Sequence, residues 1–332
     1  MMAEPRPRVW VSQPLYPDIE ARLDAWFDVT RTSQVTDHAP DAIAAALAEA
    51  DGALVTLNDR IGAAEVANAL RLRAVANVGV GYNNLDVAAL AARGIVATNT
   101  PGVLTETTAD FGFALMMAAA RRITEAEHWL REGRWQGWGF HQLLGADIHG
   151  STLGILGMGR IGQGIARRAR GFDMRVLYHN RSRLPEAIER DCAATWVERD
   201  ALFADADHLV LVLPYTAANH HIVDAAALAR MKPTATLTSI ARGGLIDEDA
   251  LADALQAGRL AAAGLDVFEG EPVVNPRLLD CRNVVLTPHI ASASLPTRRA
   301  MVSLAVDNLI AAMGFGPDAG RPPSVVTAPM AT

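Results

Sequence analysis

The 332-residue chain is half hydrophobic and one-fifth charged, which excludes a disordered polyelectrolyte and leaves room for two domains of ordinary size. A formal net charge of -7, with no long basic run, excludes a nucleic-acid groove. Two cysteines far apart in sequence, Cys192 and Cys281, form neither a disulfide framework nor a metal-ligand spacing, so buried thiols in a reducing compartment and no metal site are expected.

In chain order, short Val/Ile/Leu-rich runs alternate with Ala-rich stretches of helical character. The strand RVWVS precedes a helix over PDIEARLDAWF. DAIAAALAEA then leads into GALVTL, AAEVANAL into LRAVANVGVG, and DVAALAARG into IVATNT. Strand, helix, strand, with glycine closing several helices, is the pattern of a parallel sheet. This first block ends near Pro101. TTADFGFALMMAAARR follows as a buried helix; its greasy centre is too short for a bilayer span, which takes about 20 residues. No apolar leader opens the chain, so a soluble cytoplasmic protein without a membrane partner is expected. A tryptophan-rich segment, HWLREGRWQGWGFHQLLG, comes next. Strands then recur in TLGILGMG, MRVLYHN, HLVLVLPY, ATLTSIARG, AAAGLDVFE and NVVLTPH, mostly separated by helices. A helix over PTRRAMVSLAVDNLIAAMG and a tail of about a dozen residues complete the chain.

Gly157, Gly159 and Gly162 form G-x-G-x-x-G between a strand and the helix IGQGIARRA. The first glycine permits the tight turn, the second lets a pyrophosphate approach the backbone, and the third lets helix and strand pack closely. The helix start offers N–H groups and a positive dipole end to phosphates. This predicts a dinucleotide site that includes Met158, Arg160 and Ile161. Such sites usually place an Asp or Glu at the end of the next strand, on the adenosine ribose. Here that strand ends in Asn180, followed by Arg181, Ser182 and Arg183. Loss of the acid removes repulsion of a 2′-phosphate, and arginine suits phosphate geometry. NADP(H) is therefore expected as the preferred cofactor, with NAD(H) as the alternative.

Three later strands each end in a reactive group: Arg242 in TLTSIARGG, Asp266, Glu269 and Glu271 in AAGLDVFEGEP, and His289 in NVVLTPHIAS. In open parallel sheets ligands gather at the carboxyl ends of strands. There, an arginine can hold a substrate carboxylate and polarise the adjoining carbonyl. A histidine can pass a proton, and a carboxylate can orient it and stabilise its charged form. His141, His220 and His221 lack such placement and read as surface or structural residues.

The segments NVGVGYNNLDV, LTETTADFGFALMMAAARR, LGILGMGRIGQGIARRARGFDM, LVLPYTAANHHIV, ARGGLIDEDALADAL, AAGLDVFEGEP and TPHIASAS resemble the D-isomer-specific 2-hydroxyacid dehydrogenase family, in family order across most of the chain. GRWQGW with LLGADIHGSTLGILGMGRIGQ and the NRSR loop are most similar to its glyoxylate/hydroxypyruvate and 2-ketogluconate reductases. The resemblance implies an α/β fold of two Rossmann/flavodoxin-like domains with parallel sheets and an interdomain cleft. It implies a discontinuous substrate domain, residues 1–100 and 291–332, around a dinucleotide domain, residues 101–290. It further implies a homodimer built partly through the tryptophan-rich segment.

By the same resemblance Arg242 binds substrate, Glu271 pairs with histidine, and His289 donates the proton. Val78 and Gly79 offer backbone N–H groups to the substrate carboxylate, and Trp138 closes the pocket. Pro214, Ile240, Ala241 and Asp266 line the cofactor, with Arg242 and His289 beside the nicotinamide. The sequence departs from the family in carrying Asn83 where many members have Asp, and Ser239 and Ile240 where many have Asn before the arginine. The implied reaction is NADPH-dependent reduction of glyoxylate, hydroxypyruvate or 2-ketogluconate to the D-2-hydroxy acid. A phosphoglycerate-type dehydrogenase and a nucleotide-sensing corepressor-like binding protein are the alternatives.

Overall fold

The computed structural model describes residues 5–33 and 39–326. The chain divides into two compact units, residues 1–104 with 294–332, and residues 105–293.

The first unit is built on strands β1 (Arg8–Val11), β2 (Asp28–Arg31), β3 (Gly52–Val55), β4 (Ala74–Asn77) and β5 (Val96–Thr98). They form one parallel sheet in the order β2-β1-β3-β4-β5, the flavodoxin-like winding. β3 and β4 are buried at every position because both faces are covered, which is why they read as unbroken apolar runs. Helices α1 (Pro17–Glu20), α2 (Pro40–Glu49) and α3 (Val87–Ala92) connect them, and a long helix over Leu295–Ala312 returns to the sheet. α3 starts where Asp86 accepts the N–H of Ala89, a side-chain cap.

Two expected helices shrink. PDIEARLDAWF is helical only over Pro17–Glu20 and continues as turns. The Glu20 carboxylate, buried at 4% exposure, accepts from the Leu15 N–H and from Arg31, which anchors the short helix start. AAEVANAL forms turns, with mostly i to i−3 bonds such as Ala67 N–H to Ala64 O, since so short an apolar run does not sustain a helix. The expected tail is also corrected up to Val326. Val325 bridges antiparallel to Thr98, and the Val326 N–H reaches Ala97 O at 2.8 Å. It thus covers the open edge of β5. Residues 327–332 lie outside the described residues.

The second unit holds β6 (Thr152–Leu156), β7 (Arg175–His179), β8 (Ala194–Trp196), β9 (His208–Leu211), β10 (Thr236–Ser239), β11 (Ala262–Leu265) and β12 (Val284–Leu286). Their order is β12-β11-β10-β9-β6-β7-β8, all parallel. The first strand of the unit, β6, is central, with two strands on one side and four on the other, so the winding reverses between β6 and β9. In an open sheet that reversal opens a crevice for ligands. Helices α4 (Thr105–Ala120), α5 (Ile123–Arg131), α6 (Arg160–Ala169), α7 (Glu186–Cys192), α8 (Arg199–Asp205), α9 (Ala225–Arg230), α10 (Glu248–Gln256) and α11 (Pro276–Leu279) belong to this unit. One cluster around Leu209, Leu237 and Leu265 and another around Met116, Ile155 and Ile165 fill the two faces. No described helix is long and apolar enough to cross a membrane.

Candidate active site

The glycine turn lies at the carboxyl end of β6, against the first residues after β9. Gly157 has φ +103°, and a β-carbon on it would come within 2.6 Å of the Leu213 nitrogen. Gly162 allows no side chain either, since its β-carbon would meet the Gly157 carbonyl at 2.5 Å. At Gly159 nothing lies within 4 Å of that position. The space beside the second glycine is open, while the first and third are closed by the protein itself. The N–H groups of Gly159, Arg160 and Ile161 have no partner among the described residues, at the start of the ten-residue α6. Open space, free donors and a helix N-terminus fit a dinucleotide pyrophosphate.

Asn180 follows β7, and its side-chain oxygen accepts the Met158 N–H at 2.7 Å, tying the glycine turn to the second strand. Arg181, Ser182 and Arg183 are exposed. The two arginines differ. Arg183 donates through Nε and Nη2 to the two oxygens of Glu189, at 2.9 and 2.8 Å. Tyr178, fully buried, donates its hydroxyl to Glu189 at 2.8 Å and accepts the Leu184 N–H. Burial first, and Glu189 beside it, push the Tyr178 hydroxyl up to about 12. Arg183 is therefore half committed to an acid on α7 that lies six residues further on, while Arg181 has no side-chain partner among the described residues.

The three reactive residues sit on consecutive strand ends. His289 Nδ1 is 2.8 Å from Glu271 Oε2, and the other Glu271 oxygen accepts the Phe268 N–H at 2.8 Å. Burial pushes the Glu271 carboxyl up, but the hydrogen bond and charge of His289, the Phe268 N–H and Arg242 outweigh it, and the net direction is down. Glu271 is thus a carboxylate at neutral pH, positioned to accept a proton-bearing Nδ1 and leave Nε2 for chemistry. Arg242, partly buried after β10, donates Nη1 to Ala241 O. Burial pushes its guanidinium down and Glu271 opposes this. A guanidinium in such surroundings calls for an anionic partner.

His289 has φ +52°, a left-handed backbone that a non-glycine residue adopts at a cost of about 1–3 kcal/mol. The structure holds it there through Asp266, which is 0% exposed. Its carboxylate accepts from Thr287 Oγ1 at 2.7 Å and from the Ile290 and Ala291 N–H groups at 2.8 Å each, while its carbonyl accepts the His289 N–H. Both carboxylate oxygens of Asp266 are committed to the loop that presents His289. Burial pushes this carboxyl up, opposed by those donors and by His289.

The remaining expected residues lie as follows. Pro214 is exposed just beyond β9, with its carbonyl accepting from Asn219. Ile240 and Ala241 are buried at 6% each, and a β-carbon on Gly112 would meet Ile240 at 2.6 Å. Trp138 is 80% exposed and pairs edge-on with Phe140.

In the first unit the Val78 N–H completes the ladder to Val55 O at 2.8 Å, so it is not the free donor expected of it. The Gly79 N–H is turned onto Asn77 O. The next two, Val80 and Gly81, have N–H groups without a partner among the described residues. They are held by Asn77 Nδ2 on Gly81 O and Asn99 Nδ2 on Val80 O. The sequence signal for this shift is the second Val-Gly of NVGVG: a ladder that ends at Val78 frees only the pair after Gly79.

The D-isomer specific 2-hydroxyacid dehydrogenase, NAD binding domain family matches residues 113–291. A glyoxylate reductase from Thermococcus gammatolerans is 42% identical over 310 residues, 92% of each chain. One from Korarchaeum cryptofilum is 43% identical over 308 residues, again 92% of each. Among solved structures, an NADPH-dependent glyoxylate/hydroxypyruvate reductase from Sinorhizobium meliloti, in complex with NADP and malonate, superposes with a TM-score of 0.83 at 37% identity, covering 97% of both chains.

Proposed function

The chain belongs to the D-isomer specific 2-hydroxyacid dehydrogenase family, and from that premise we propose that it reduces a small 2-keto acid to the D-2-hydroxy acid with NADPH. Glyoxylate and hydroxypyruvate are the first candidates, named by the reductases it resembles; 2-ketogluconate is the longer one. The observation that carries the proposal is the 2.8 Å pairing of His289 with Glu271 in the same unit as Arg242. In this reading residues 105–293 bind the nucleotide, and residues 1–104 with 294–332 bind substrate.

The glycine turn and the N–H groups of Gly159, Arg160 and Ile161 would hold the pyrophosphate of the dinucleotide. Arg181, with Ser182 and the free edge of Arg183, would take the 2′-phosphate. Bound there, NADPH supplies the hydride for the keto carbon. Arg242 binds the keto acid's carboxylate and polarises the adjoining carbonyl. Protonated His289 donates from Nε2 to the carbonyl oxygen as negative charge grows on it. Glu271 holds the imidazole through Nδ1 and balances its charge before the transfer. Asp266 keeps the histidine in its left-handed posture.

Trp135, Trp138, Phe140 and Leu144 are all exposed within one short segment, and this supports a homodimer through it, because apolar side chains gathered at a surface mark association sites. Initial rates with NADPH and with NADH, each against glyoxylate, hydroxypyruvate and 2-ketogluconate, test the function. Turnover with NADPH well above that with NADH supports it. A preference for NADH removes the phosphate-binding role of Arg181.

A further inference from the structure

Outside the trio, two histidines and a carboxylate converge beyond the ends of β9 and β11. His221 Nε2 lies 2.9 Å from Glu269 Oε2. The His220 and His221 rings stack, with centroids 3.8 Å apart and 23° between their planes. One ring nitrogen of each histidine and one oxygen of Glu269 all lie within 4.8 Å of one another. Successive side chains on extended backbone point to opposite sides. Here His221 takes φ +50°, and its N–H is fixed on Gly244 O at 2.8 Å, so both rings stand side by side. Left-handed backbone at a non-glycine residue is a strained posture that the surroundings must impose, and it clusters at ligand sites. An ion pair with Glu269 needs one histidine; the second stands beside it without being required for that pair.

We propose that His220, His221 and Glu269 form a binding site for one divalent transition cation of the zinc class. Imidazole nitrogen with a single carboxylate selects such ions over magnesium or calcium, which prefer all-oxygen shells. Three protein ligands with solvent in the fourth position make an open tetrahedral site. Bond lengths of about 2.0–2.2 Å place tetrahedral ligands roughly 3.4 Å apart. His221 and Glu269, at 2.9 Å, need to part by only about 0.5 Å to reach that spacing, and the exposed His220 ring closes the rest by side-chain rotation. Two neighbours brace the ligands: the Tyr215 hydroxyl, 3.3 Å from His220 Nδ1, and Glu248, which accepts the Glu269 N–H at 2.7 Å.

The site does not depend on the dehydrogenase reading, and its test does not use turnover to detect binding. Full-length protein without an affinity tag, stripped of metal, is dialysed to equilibrium against zinc chloride and, separately, magnesium chloride. The expected result is one zinc per chain, no magnesium, and loss of the zinc in His220→Ala. Cobalt in place of zinc should give the intense visible bands of a four-coordinate site, absent from the variant. His220 is exposed, so the variant should melt as the wild type does and keep its metal-free keto-acid turnover. Equal zinc retention by wild type and His220→Ala, or none by the wild type, overturns the proposal.

Discussion

Exchanging Glu271 for Gln removes one charge while nearly conserving shape. In the wild type one carboxylate oxygen serves the Phe268 N–H and the other serves His289. An amide has a single carbonyl oxygen, so one of the two loses its acceptor. A hydrogen bond to a charged group is worth about 1.5–3 kcal/mol. The pair is partly exposed, with side-chain accessibilities of 29% for His289 and 35% for Glu271; solvent screening favours the lower part of that range, about 1.5–2 kcal/mol. If the pair acts mainly in the proton-transfer step, kcat falls about 10- to 30-fold. The KM for NADPH should stay within about twofold, because Glu271 is not assigned to the nucleotide. Sign and window follow from the carboxyl's direction. Its folded value is depressed, so the pair's contribution is intact above the ordinary carboxylate value of about 4.3 and is lost as pH falls through the lower folded value. Across neutral pH the wild type keeps the pair and the variant lacks it. The assay is the initial rate of NADPH oxidation with glyoxylate from acid to alkaline pH. A variant kcat within about twofold of wild type, with an unchanged pH profile, would refute the orienting role of Glu271.

Other outcomes follow from single contacts. Asn180→Asp keeps the acceptor for the Met158 N–H but restores a negative charge near the 2′-phosphate; the KM for NADPH should rise about tenfold and that for NADH should not, read from paired initial rates. Gly159→Ala should leave the melting temperature unchanged, because the added methyl meets nothing within 4 Å, yet weaken NADPH binding in titration calorimetry; Gly157→Ala should lower the melting temperature by itself. His208 is fully buried, bonded to Thr236 Oγ1 at 2.8 Å and Asp147 O at 3.0 Å, and burial pushes its imidazole down. A depressed folded value means stability is complete above the ordinary histidine value of about 6.5 and is lost as pH falls below it. His208→Asn should lose less melting temperature between pH 7 and pH 5 than the wild type does.

The central strands were legible because burial on both faces leaves an uninterrupted apolar run, as in HLVL at β9. The edge strands β2, DVTR, and β8, ATW, were not read from the sequence: an edge is short and partly solvated, so its pattern is weak. At the site, residue types at strand ends announced Arg242, Glu271 and His289. Hydrogen-bond commitments could not be read that way. The diversion of Arg183 onto Glu189 needs the turn between β7 and α7, and the enclosure of Asp266 needs the loop after β12 to fold back over it. Likewise the free donors are Val80 and Gly81 rather than the expected Val78 and Gly79, because strand register, which composition does not encode, decides where the ladder stops.

The most direct measurement is the rate of NADPH oxidation with glyoxylate and with hydroxypyruvate by wild type and by His289→Ala. The account predicts turnover by the wild type and a loss of about 10²–10⁴-fold in the variant, with NADPH affinity retained. Undiminished turnover by His289→Ala, or none by the wild type with either acid, would contradict it.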